Sequence, residues 1–524
     1  MRGMGAVLML GLATMGVARA DQAKAIAALT AQGAEVVRNE MAINQPVVLV
    51  RFAGLDEKAL DLRPLADLPH LEAVDLNGSS VKDADLEHVA GLAKLEELNL
   101  AGTGITDRGL VAVGKIKTLK LLDLTDTSVT ATGLASLTGL ALLEQLDLVR
   151  FESEKPDPVG DAGLKALVGL KRLKRLDLTG RTITDRGLES IREFPALLSL
   201  LLIRTKVTDA GLTELVGHET LGLLNLARCA ITDQGAETIA RMKPMRFLDL
   251  SSTKVTSRAM PALARLDKLQ MLTVFDTRLD DEGLATLAGI KTLQTLGLDG
   301  TAISDAGLEK LQEMKALRVL SLNRTKVSDA GLRAIDEASW IGALGLAGTR
   351  VTSRGLAASK TLPRLSRLSL LPRQVDDTLL AALAEAERLH IIDIRDRSMQ
   401  GYEMGRRDSG LPALDLAGTA ISDAGIEHLA GLARLEVLNL AATAITDRGL
   451  AKLDQFGRLR VLILSGSKVT DAGMPRVAAL KDLRVLGLVD TAVTRKGIDT
   501  VRKALPMCRI EVSAERLPPP SPGK

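Results

Sequence analysis

Apolar residues along this chain alternate between two spacings within each stretch of about 24 residues. A pair two apart, as in Leu98/Leu100 or Leu122/Leu124, is followed by a polar turn and then by leucines three apart, as in Leu134, Leu137 and Leu140. The first spacing predicts a short strand that buries alternate residues, the second a short helix with one buried stripe. Strand pairs recur from Val50/Phe52 and Val74/Leu76 to Leu486/Leu488 and Ile510/Val512, 20 positions in all. A Thr-Asp-x-Gly-Leu segment marks the turn. Its aspartate falls at Asp83, Asp107, Asp161, Asp185, Asp209, Asp233, Asp281, Asp305, Asp329, Asp377, Asp423, Asp447 and Asp471. Ala131, Ser257, Ser353 and Arg495 hold the same slot in coils without the carboxylate. A fixed period of this length is the signature of a solenoid, in which each coil buries its apolar face only against its neighbours. Strand, turn and helix repeated in one sense predict an α/β solenoid with an inner parallel sheet and outer short helices.

The pattern also divides the chain. Residues 1–20 have the form of a secretory signal peptide, with Arg2, an apolar run over Ala6–Val17 and an Ala18-Arg19-Ala20 cleavage site. The run is too short to span a bilayer, and no later segment is apolar enough, so an exported protein, periplasmic or extracellular, is expected. Within 21–46, a helix over 22–33 closed by Gly33, and strands over Glu35–Arg38 and from Gln45, would cap the first coil. Coils fill 47–512, and 513–524 is a proline-rich tail. Two places break the period. The step from Ala131 to Asp161 is 30, placing a six-residue insertion within 149–160. The step from Asp377 to Asp423 is 46, which reads as one full coil and a shortened one, with 395–410 replacing the usual turn and helix.

Chemistry is sparse. The formal charge is +3, and removal of Arg2 and Arg19 with the signal leaves +1, too little for the dense phosphate contacts of nucleic-acid binding. Cys229 and Cys508 lie many coils apart, so no disulfide joins them. The five histidines show no metal spacing, and there is no G-x-S-x-G, P-loop or G-x-G-x-x-G segment. No catalysis, cofactor or metal is expected.

These coils resemble leucine-rich repeats of the T-D-x-G-L type. They are similar to those of secreted bacterial leucine-rich repeat proteins and, more distantly, to the cysteine-containing repeats of F-box proteins, with Cys229 in the turn slot where Thr is usual. The resemblance implies a right-handed horseshoe that binds partners, mostly proteins, on its concave sheet. No segment resembles an F-box.

The outward strand positions indicate where. Early and late coils place Asp75, Asn99, Asp123, Asp147, Asp177, Asn225, Asp249, Asp393, Asp415 and Asn439 between the two inward residues. Calcium could bridge such a ladder, but the repeat consensus accounts for it as a hydrated column. Middle coils depart from it. Leu201, Leu223, Phe247, Met271 and Phe275, edged by Arg204 and Arg228, have the composition of a protein interface. The expected function is an exported noncatalytic scaffold binding a protein through these residues. The alternative is a glycan-recognition module that uses the Asp/Asn ladder as a hydrogen-bonding surface.

Overall fold

The structure is a computed structural model, and it describes residues 20–42, 44–52, 60–151, 156–394, 413–429, 432 and 434–512. The signal segment up to residue 19, the 395–410 interruption with Tyr402, and the 513–524 tail lie outside the described residues. The fold is a leucine-rich repeat solenoid. All 20 expected strand positions are strands, each three or so residues long, and short α- or 3-10 helices follow them. The chain divides into two compact units, Met1–Gln270 and Met271–Lys524.

In the first unit a helix over 20–31 precedes strand Glu35–Arg38, which pairs antiparallel with Val47–Arg51. Every later pairing in that unit is parallel and in step, so equivalent residues of successive coils lie side by side: Arg175 beside Ser199, Ser199 beside Leu223, Leu223 beside Phe247. Inward leucines such as Leu200, Leu224 and Leu248 stack into the core. The second unit repeats this design in two runs, from Met271–Thr273 to Ile392–Asp393 and from Ala413–Asp415 to Arg509–Glu511.

The motif aspartate fastens coil to coil. The threonine before it caps its own helix, as when Thr232 Oγ1 accepts from the Gln234 amide at 3.2 Å. The aspartate instead reaches forward: Asp209 accepts from the Thr232 amide through Oδ1 at 2.9 Å and from the Thr232 hydroxyl through Oδ2 at 2.5 Å. The same pair of bonds joins Asp83 to Thr106, Asp185 to Thr208, Asp305 to Ser328 and Asp447 to Thr470. The motif glycine makes room for it, since a Cβ on Gly235 would stand 2.3 Å from Asp209 Oδ1. Where Ser353 replaces the aspartate, Asp376 replaces the next coil's threonine, and the Ser353 hydroxyl donates to it at 2.5 Å.

Side-chain contacts join the coils at both interruptions. In the first, Asp157 and Arg181 occupy the turn slots that hold Thr elsewhere, and form an ion pair at 3.1 Å with both side chains 1% exposed. Burial opposes the Asp157 charge, but the Thr182 and Val159 amides and Arg181 together hold its carboxyl below the usual range. In the second, no full coil intervenes on the helix side. Ser422 bonds directly to Asp377, as adjacent coils do, while the strand side gains the additional strand Ile392–Asp393.

Candidate functional site

The Asp/Asn ladder turns inward to its own backbone. Asp75, Asn99, Asp123, Asp177, Asn225, Asp249, Asp415 and Asn439 each accept, through Oδ1, the amide two residues on, which fixes the turn that follows the strand. Several second oxygens are engaged too: Asp75 with Arg51, Asp147 with Gln145, Asp177 with Arg175, Asp249 with Asn225. Arg175 also approaches Asp147 to 3.5 Å. Burial, then the charges of Asp177 and Asp123, push the Asp147 carboxyl up despite its Gln145 and Arg175 partners. Among the described residues no group of three or more His, Cys, Asp or Glu is placed to hold a metal ion.

The first unit brings together three of the expected apolar residues. Phe247 is 37% exposed, with Leu223 directly beside it on the neighbouring strand and Leu201 one strand further on, both half-buried. Ile203 lies half-buried just past Leu201. Leu198, 49% exposed, stands at the entry of the same strand and was not anticipated. Its signal was there: the equivalent positions hold Glu72, Glu96, Lys120, Glu144, Lys174 and Arg246, so a leucine breaks a charged column. That column elsewhere forms cross-coil ion pairs, Lys120 with Glu96 and Lys174 with Glu144, each at 2.7 Å. At Leu198 and Gly222 it stops.

Arg204 and Arg228 occupy the turn position that favours glycine, with φ of 58° and 61°. Each therefore carries a backbone conformation that costs on the order of 1 kcal/mol for a side-chain-bearing residue. Arg228 is exposed, and Arg204 is half-buried beside Gly180.

Met271 and Phe275 belong to the second unit. Met271 is half-buried on its strand. Phe275 corrects the expectation: at 2% exposure it is a core residue and not an exposed contact. Its ring lies over Gly297 of the next coil, where an added Cβ would be 2.5 Å from the ring. The missing side chain at Gly297 leaves a place on the strand face that the phenyl ring fills. Next to it Asp299 is fully buried, accepting the Asn323 amide at 3.1 Å and its Nδ2 at 2.9 Å. Burial pushes that carboxyl up, against the hydrogen bonds of Ser321 and Asn323.

The family described as Leucine Rich repeat matches residues 91–114 and 218–240. No curated protein matches the chain. Among solved structures, an internalin from Listeria monocytogenes is 22% identical, covering 63% of this chain and 91% of its own at a TM-score of 0.46. Mouse RP105 in its complex with MD-1 is 16% identical over 91% of this chain and 81% of its own, at 0.49. A leucine-rich repeat protein of Leptospira interrogans is 17% identical over 88% and 94%, at 0.36. No described helix is long and apolar enough to cross a membrane.

Proposed function

We propose that this protein is an exported, noncatalytic scaffold that docks another protein on the strand face of its first unit. The observation that carries the reading is the run of Leu198, Leu201, Leu223 and Phe247 across neighbouring strands: Leu201 replaces the Asp or Asn of its column, Leu198 replaces a charged residue, and Phe247, 37% exposed, is the bulkiest side chain of a column that holds Ala73, Leu121 and Ser199 in other coils. Clustered apolar groups exposed on one face are costly in water and mark contact surfaces. The segment 1–20 is proposed as the export signal, 21–46 as the N-terminal cap and 513–524 as an extended tail. The glycan alternative draws little support, because the ladder that would face a sugar is bonded to its own turns and neighbours.

The test is capture from native envelope and culture extracts by the full chain, with Leu223→Asp/Phe247→Asp alongside. A protein held by the wild type and released by the variant supports the reading. Equal capture by both moves the contact elsewhere on the molecule.

A further inference from the structure

The charges around this face are uneven in a way that describes the occupant. The nearby acids are engaged: Asp249 accepts from the Ser251 amide at 2.9 Å and from Asn225 Nδ2 at 3.1 Å, and Asp177 holds the Thr179 amide at 3.0 Å and Arg175 at 3.4 Å. Two exposed cations are not. Arg246 precedes strand Phe247–Asp249, Arg228 follows strand Leu223–Asn225, and neither forms an ion pair among the described residues. They stand at opposite ends of the strand direction, with Phe247, Leu223 and Leu201 crossing the sheet between them. Six coil positions separate their levels, on the order of 15–20 Å at about 3.3 Å per extended residue.

We infer that the docked element is an extended segment of the partner with an apolar centre and a carboxylate toward each end, about five or six residues apart. This rests on the proposed docking role. The apolar centre covers Phe247, Leu223 and Leu201, and the two carboxylates meet Arg246 and Arg228. Complementary charge at the rim selects the partner and speeds encounter, while the apolar centre supplies most of the affinity. A basic or uncharged segment would leave both guanidinium groups without partners.

Panning the full chain against a random dodecapeptide library tests this. The wild type is expected to enrich apolar peptides flanked by Asp or Glu. Arg228→Glu/Arg246→Glu is expected to bind those peptides about tenfold more weakly and to select Lys- or Arg-flanked ones. Arg228→Lys/Arg246→Lys should retain the acidic preference. Enrichment of basic or uncharged peptides, no enrichment at all, or unchanged affinity in the Glu double variant would overturn the inference. A peptide that binds but is indifferent to Phe247→Asp defeats the docking role itself, whereas loss on Phe247→Asp with no effect of the arginines defeats only the acidic partner.

Discussion

Exchanging Asp209 and Thr232 between coils probes what holds the solenoid together. Asp209→Ser removes two charge-assisted hydrogen bonds, to the Thr232 amide at 2.9 Å and hydroxyl at 2.5 Å. Such bonds contribute about 1.5–3 kcal/mol each, and part-exposure reduces this to a combined loss of about 2–4 kcal/mol. Thr232→Asp alone brings two carboxylates together, a repulsion of about 4 kcal/mol at 4 Å in a part-buried site before a shared proton relieves it. Additivity would place the double variant about 6–8 kcal/mol below wild type. The chain itself carries the exchanged pair at Ser353 and Asp376, where the serine hydroxyl donates at 2.5 Å and Asp376 still caps its helix through the Leu379 amide. Asp209→Ser/Thr232→Asp is therefore expected to lose only about 1–2 kcal/mol, the value of the one amide bond not restored. Urea unfolding of the four proteins measures the coupling. Thr232→Asp should also recover stability as pH falls and the pair takes up a proton. An additive double variant would refute the reasoning.

Three further outcomes follow from the same geometry. Arg181→Thr should cost about 3 kcal/mol by removing the nearer of the two cations against buried Asp157, Arg150 at 3.5 Å being the other, while Asp157→Thr/Arg181→Thr, which installs the residue of the ordinary turn slot, should recover most of it in urea melts. Gly235→Ala should destabilise by about 2 kcal/mol or more because the new Cβ meets Asp209 Oδ1, whereas Gly104→Ala, with open space around it, should change the unfolding midpoint little. Asp147 has a folded-state carboxyl raised above its unfolded value, so its charge costs stability above that range and nothing below it. Asp147→Asn should then stabilise near neutral pH, with the gain vanishing as pH falls toward the unfolded carboxyl value of about 4.

The strands were legible because their leucines obey a strict two-residue spacing, and the parallel register followed from the constant period. What the motif aspartate does was not legible, since a carboxylate next to a helix start suggests a cap, and its partner lies one coil away. The Asp/Asn ladder looked solvent-facing for a similar reason: alternation gives the direction of a side chain but not the amide two residues on that it turns back to. At the site, Leu201 could be seen as a departure from a polar column, and Leu223 and Phe247 as bulky residues at an outward strand position. Phe275 could not be placed, because its burial depends on Gly297 of the following coil leaving a gap that the ring fills. Leu198 lies just outside the two-residue alternation of its strand, and its exposure is legible only against the charged column Glu72, Glu96, Lys120, Glu144 and Lys174.

The most direct measurement places a photo-crosslinking benzoylphenylalanine at Phe247, and a control at Val111, an exposed residue of a helix far from the patch. After irradiation in native envelope and culture extracts, adducts are identified by mass spectrometry. A discrete protein adduct at position 247, absent at 111, is the predicted result. No adduct at 247, or the same adducts at both positions, would contradict a docking face on these strands.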